Sequence, residues 1–300
     1  MSTASQSPYI HAAGNVLAAV DQSGYTESVC RHAVWAATRM GAPLQLVHAL
    51  PRVQSASPRD LSGNLALGEQ ESLLLTLSAE DERRSALAQQ NGRALLQQAR
   101  GIANDAGISE VETRLRHGGL AENLLELEQD VRLFVLGKRG EDAPSDHERL
   151  DAAPLGHELE GVVRAVHRPL LVAPREFRPI QRVLIAFDGS PTTRKGVQMV
   201  AASPLFHAAD IHVVAVGSAQ DAGARELPWA EQILAEAGFG PRVARIEGVA
   251  EAVLCEYTRE HHIDLLVMGA YGHSRIRDLI VGSTTTAMLR RCHIPVLLLR

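Results

Sequence analysis

Gly269-Ala-Tyr-Gly272, a nine-residue spacer, then Gly282-Ser283-Thr284 form a set of residues suited to holding an anion. Glycines carry no Cβ to obstruct close approach of the main chain, and Ser283 can cap a helix running through Met288 to Arg291. The N–H groups at the start of such a helix and the positive end of its dipole converge on one point, which suits phosphate. Gly269 closes the apolar run Ile263 to Met268, IDLLVM, the pattern of a strand covered on both faces.

The elements that must position these residues occur twice. Asn15-VLAAV-Asp21-Gln-Ser-Gly24 repeats as Arg182-VLIAF-Asp188-Gly-Ser-Pro191, and Asp21 precedes Val47 by the same interval as Asp188 precedes Val214. Leu133-FVL-Gly137-Lys-Arg-Gly140 matches Leu265-LVM-Gly269-Ala-Tyr-Gly272, and His167-Arg-Pro-LLVAPR matches His293-Ile-Pro-VLLLR. Each half reads β-α-β-α-β-α-β-α-β, so the fold class is α/β, two tandem doubly wound domains, each with a mainly parallel five-stranded sheet. Ser190 reads as an N-cap with Pro191 in the first helical position. Ligands of such sheets bind beyond the carboxyl ends of the strands, where Asp188, Val214 and Gly269 fall.

The stretch Pro174 to Pro179 reads as the linker, dividing the chain into domains 1–175 and 180–300. Gln54 to Gly68 is irregular, and Glu69 to Arg100 has helical spacing at Leu73, Leu77, Leu87 and Leu95, expected to serve as a lid or packing element. The terminal strands, Leu170-LVA and Val296-LLL, are expected to pair the two domains, because an open edge strand invites pairing.

Composition narrows the function classes. Three hundred residues suit two domains, and a net charge of −5 gives no general attraction to nucleic acid or anionic membrane. The N-terminus lacks the basic and apolar regions of a secretory signal, no apolar run is long enough to cross a bilayer, and three cysteines show no metal-like spacing. A soluble, cytoplasmic protein is expected. His261-His262 cannot face one point on a regular element, His147 and His157 fit a surface loop, Cys255 and Cys292 read as small buried residues, and Lys138-Arg139 as a solvated turn.

The spacing Gly-x2-Gly-x9-Gly-Ser, with the matching strands around it, resembles the ATP-binding signature of the universal stress protein family, and the resemblance covers residues 180–300. It implies the adenine nucleotide alpha hydrolase-like, Rossmann-like fold of that family and ATP as the ligand, with Mg²⁺ an accompanying cation. It places Ala186, Phe187 and Asp188 at the nucleoside, Val214 against the adenine and Met268 at the nucleoside border. Gly269 and Gly272 pass close to ribose and phosphates, while Gly282, Ser283 and Thr284 donate N–H and hydroxyl groups; Arg275 and Arg277 could add charge. Single-domain members dimerise, and tandem members imitate that dimer within one chain.

The first half departs from the motif. Gly156-His157-Glu158 aligns with Gly282-Ser283-Thr284, but fifteen residues rather than nine follow Gly140, among them Glu141, Asp142, Asp146, Glu148 and Asp151. Several repulsive contacts of roughly 1 kcal/mol each would overwhelm the backbone donors, so this half is expected not to bind ATP. The expected function is an ATP-binding regulatory or sensing module with an unidentified signalling partner and the option of a homodimer. A slow Mg-dependent ATPase and a partner-binding scaffold are the alternatives; no P-loop lysine or general base accompanies the glycines. Isolated glycines at strand ends are often only turn formers, and Asp188 alone would read as a turn residue; their company gives them function.

Overall fold

The computed structural model describes residues 13–50, 67–141, 155–270 and 282–300. The first half contributes β1 Asn15–Ala19, β2 Leu44–Leu50, β3 Val111–His117, β4 Val131–Gly137 and β5 Leu170–Ala173, interleaved with α1 Thr26–Met40, α2 Leu67–Asp105, α3 Leu120–Leu127 and α4 His157–Ala165. The second contributes β6 Arg182–Ala186, β7 Asp210–Val216, β8 Arg242–Ile246, β9 Leu265–Gly269 and β10 Val296–Leu299, with α5 Pro191–Ala202, α6 Ala222–Glu236, α7 Ala250–Glu260 and α8 Ser283–Arg291.

The strands form one sheet in the order β3-β2-β1-β4-β5-β10-β9-β6-β7-β8. Every junction is parallel except that of the two halves, where β5 and β10 pair antiparallel with Leu171 opposite Leu297. Each half is thus a five-stranded doubly wound unit, and the two merge edge to edge through the strands their sequences mark as terminal. Pairing removes the edge that LLVA and VLLL would otherwise present to other chains.

Two apolar layers follow from strand alternation. Val16, Val183, Ile185 and Phe187 face α1, α2, α5 and α6, whereas Leu17, Leu184, Val214 and Met268 face α3, α4, α7 and α8. Both layers run across the junction, so neither half has a core of its own. The linker's Phe177 packs edge-on against the buried His32 ring, 4.9 Å between centroids.

Helix α2 spans 39 residues, and its leucines do not behave alike. Leu95, Leu96, Ala99 and Ala103 are buried, while Leu77 and Leu87 are exposed. The C-terminal part lies on β2 and β3 so closely that a Cβ on Gly92 would come within 2.9 Å of the His48 ring. The sequence spacing therefore marks a helix correctly but only part of it as core. The irregular segment before it, and with it the lid expectation, lies largely outside the described residues.

The expectation for Lys138 and Arg139 is overturned: both are buried. Lys138 Nζ donates to the carbonyls of Arg290 and Cys292 at 2.7 and 3.1 Å, closing the C-terminus of α8 in the other half. Arg139 reaches the Tyr25 hydroxyl at 3.4 Å. Burial of a lysine is tolerated because helix-end carbonyls carry partial negative charge and lack partners of their own.

Candidate functional site

Three strand ends and one helix start build the site. In the second half β6 is flanked by β7 on one side and β9 on the other, so the winding direction reverses between β6 and β9 and opens a crevice at their carboxyl ends. A cleft of about 400 Å³ occupies that point. A second cavity, about 80 Å³, lies between the halves and is lined by Met40, Arg132 and Phe206 among others; its volume is too small for a ligand of nucleotide size.

Ala186, Phe187, Asp188, Val214, Met268, Gly269, Gly282, Ser283 and Thr284 all line the larger cleft, and Gly272 lies outside the described residues, as do Arg275, Arg277 and His147. They do not contribute alike. Ala186, Val214 and Met268 stand on the α7 and α8 face and give the cleft an apolar floor. Phe187 turns its ring to the opposite layer, where it stacks on Trp229 at 6.3 Å, so it reaches the cleft through its main chain; its N–H is already given to Val214 O. The strand period of two explains why neighbours in sequence part company here.

Asp188 organises the turn that follows β6. Its Oδ1 accepts from Ser190 N at 2.9 Å and from Thr193 Oγ1 at 2.7 Å. Between them Gly189 takes a left-handed φ of 74° with Ala222 packed against it, a position that a side chain would strain. Ser190 caps α5, accepting from Thr193 N, and Pro191 opens the helix. The turn and site readings of Asp188 are therefore compatible: the carboxylate locks a turn that borders the cleft.

The helix mouth differs from expectation in one respect. The N-cap of α8 is Gly282, and Ser283 is the first helical residue, without a side-chain cap bond. Gly282 has φ −51° and ψ 146°, extended values open to any residue, and its N–H is spent on Ala270 O. The first N–H of the helix to find a main-chain acceptor is that of Thr286, on Gly282 O. Among the described residues this leaves the N–H groups of Ser283, Thr284 and Thr285 directed out of the helix start. Thr285, buried, donates its hydroxyl to Gly269 O at 2.9 Å and ties the helix to the end of β9.

Sequence reasoning missed five lining residues: Thr193, Val216, Ala250, Leu254 and Thr285. Thr193 was signalled by its place three residues after the N-cap, and Thr285 by the run of hydroxyl residues opening α8. Ala250 and Leu254 belong to α7, and nothing local in their sequence aims that helix at the cleft.

The first half shows the same frame filled differently. Gly156 is the N-cap of α4 at φ −60° and ψ 134°, matching Gly282, yet the first turn of α4 carries Glu158 and Glu160 whereas that of α8 has no acid. Asp21 forms the same turn, accepting from Ser23 N at 3.0 Å. Glu141 folds over it and accepts from Gln22 N at 2.9 Å. Burial raises the Asp21 pKa, with the Glu141 charge adding to the rise against the local hydrogen bonds. Where the second half offers donors, the first offers carboxylates.

The family model described as the universal stress protein family matches residues 13–174 and again 179–300. The chain belongs to the universal stress protein family. The double match makes it a tandem member, with the fold expected of one. It is 36% identical over 290 residues to a universal stress protein of Synechocystis, covering 95% of this chain and 99% of that protein. A universal stress protein of Mycobacterium tuberculosis is 25% identical over 236 residues, 69% of this chain and 72% of the other. The crystal structure of one from Archaeoglobus fulgidus superposes with a TM-score of 0.66 over 97% of both chains at 15% identity, a likeness of fold. Among the described residues no helix is long and apolar enough to cross a membrane, and no three His, Cys, Asp or Glu side chains cluster as a metal site. His261 instead stacks on Tyr257 at 3.8 Å.

Proposed function

We propose that this tandem universal stress protein binds ATP in the cleft of its second half and serves as a regulatory or sensing module, with the first half a structural counterpart that takes no nucleotide. The observation that carries the reading is the opposition within the cleft: an apolar floor of Ala186, Val214 and Met268 at one end and the acid-free start of α8 at the other. An adenine suits the first and phosphates the second.

In this reading Val214 and Met268 pack on the base, and Ala186 with the Phe187 and Asp188 main chain borders base and ribose. Gly269 and Gly272 let the chain pass the sugar and phosphates. Ser283 and Thr284 meet the phosphates with N–H and hydroxyl groups, while Gly282 sets the N-cap without donating. A Mg²⁺ ion would arrive with ATP and be held chiefly by its phosphates, and the Asp188 carboxylate and the Ser283 and Thr284 hydroxyls are protein oxygens of the cleft that could help to hold it. Asp188, the one carboxylate among the described lining residues, accepts from Ser190 N and Thr193 Oγ1 in the turn after β6, which favours binding over turnover.

Protein purified without added nucleotide and analysed by mass spectrometry after denaturation tests the ligand. Adenosine triphosphate released from the wild type is the expected result. Release of a different class of ligand, or failure of the emptied protein to bind added ATP, would replace the reading.

A further inference from the structure

The smaller cavity, about 80 Å³, lies where the end of α1, the starts of β4 and β5, strand β10 and the end of α5 meet. Leu133, Leu205, Phe206 and Leu297 form its apolar wall, and Arg132 and Arg168 line it as well. The apolar four belong to the layer that faces α1 and α5, so the cavity lies across the sheet from the floor of the nucleotide cleft. Among the described residues, no carboxylate lines it.

Both guanidinium groups are poorly matched by the protein. Among the described residues, Arg132 Nη1 donates only to Met40 O at 3.5 Å, and Arg168 Nε to Glu128 O at 3.4 Å, both at the long limit of a hydrogen bond. Glu128, the carboxylate of that loop, is otherwise engaged: it accepts from the main-chain N–H of His167 and of Arg168 and lies 3.2 Å from His167 Nδ1. Burial lowers the Arg132 pKa, as happens to a cation taken from water without an anion beside it.

The repeat shows that the frame does not require either arginine. Leu133-FVL matches Leu265-LVM, which sets Arg132 against Asp264, and His167-Arg-Pro matches His293-Ile-Pro, which sets Arg168 against Ile294. Asp264 has a structural task, accepting from Gln181 N at 3.0 Å and Arg182 N at 2.8 Å. The first half has replaced an acid and an apolar residue with two cations at one cavity, in a chain whose net charge is −5.

We infer that the cavity between the halves is a second ligand site, for a short-chain carboxylate whose anionic head meets Arg132 and Arg168 and whose tail lies on Leu133, Leu205, Phe206 and Leu297. The inference goes beyond the nucleotide reading and does not rest on it. A water's share of the liquid is about 30 Å³, so the cavity takes roughly three groups of that size, as in a carboxylate carrying a methylene and a methyl. Guanidinium pairs carboxylate with two parallel donors, and the apolar wall distinguishes such a ligand from an inorganic anion.

Saturation-transfer NMR of the full chain with propionate tests the site. Saturable binding in the millimolar range or tighter is expected. Acetate, one methylene shorter, should bind roughly fourfold more weakly, and neutral propionamide at least about tenfold more weakly. Arg132→Gln and Arg168→Gln, with circular dichroism unchanged, should each weaken propionate at least about tenfold, and saturating ATP should leave propionate bound. No saturable propionate binding, inorganic phosphate or propionamide bound as tightly as propionate, folded variants binding at full strength, or release of propionate by ATP would each overturn the inference.

Discussion

Lys138 Nζ lies 2.7 Å from the carbonyl oxygen of Arg290, so the last turn of α8, the helix whose first turn opens into the cleft, is held by the other half of the chain. The contact has a mirror image. Arg300 donates to the carbonyls of Arg164 and Val166 at the end of α4, the positions that correspond to Arg290 and Cys292. The two clamps obey the symmetry of the halves but are made by residues that do not correspond, Lys138 after β4 and Arg300 after β10. The lysine is buried.

Removing that clamp should be felt in stability. Lys138→Met keeps the stem and deletes the charge, leaving two helix-end carbonyls short of a donor. A loss of about 1–3 kcal/mol is expected from urea unfolding. An unchanged midpoint would mean that water satisfies the carbonyls and the lysine contributes nothing net.

The charge difference between the two helix starts can be transplanted. Thr284→Glu places at α8 the acid that Glu158 provides at α4. An acid in a first turn favours the helix dipole by roughly 0.3–1 kcal/mol, so the fold should hold or gain slightly. ATP affinity should nonetheless fall at least about tenfold, or roughly 1.4 kcal/mol. Unaltered affinity, measured by fluorescent nucleotide displacement on a protein with intact circular dichroism, would separate α8 from phosphate recognition.

His32 gives the fold a pH dependence. It is fully buried, Nδ1 is 2.8 Å from Ser28 O, and Nε2 has no hydrogen-bond partner among the described residues. Burial lowers its pKa from 6.5 to about 4. The unfolded chain therefore binds the proton more readily, so this contribution is complete above about pH 6.5 and is lost as pH falls toward 4. The loss is on the order of 3 kcal/mol. His32→Leu should flatten the acid side of the stability profile in urea unfolding between these limits. His212, also lowered by burial, remains in that variant and keeps part of the slope. Parallel profiles for both proteins would exclude His32 as a source.

What the sequence made legible was whatever repeats or has a short period. The two halves, their strands, the Ser190 cap and the β5–β10 junction are all local patterns or products of one repeat. The helix starting after Gly282 was legible too, but not which residue caps it, because Ser283 can act as N-cap or first helical residue with little to choose locally. The fates of Phe187, Lys138 and Leu87 depend on what the rest of the fold brings to them: the opposite layer, a helix end from the other half, or nothing. Ala250 and Leu254 entered the cleft by helix packing alone.

Binding without turnover is the expected behaviour of the cleft. With Mg²⁺ present, ATP bound to the protein should remain intact over many minutes. Sustained phosphate release near 1 s⁻¹, the low end of ordinary enzyme rates, and its loss in Asp188→Ala, would make this an enzyme and give Asp188 a chemical role.

The two halves are expected to differ: two copies of one frame, one nucleotide. Isothermal titration of the nucleotide-free chain with ATP measures it directly. One site per chain, abolished by changes at the start of α8 and indifferent to Glu158→Gln at the start of α4, is the predicted result. A stoichiometry near two, or a single site that survives disruption at α8 and disappears on disruption at α4, would contradict it.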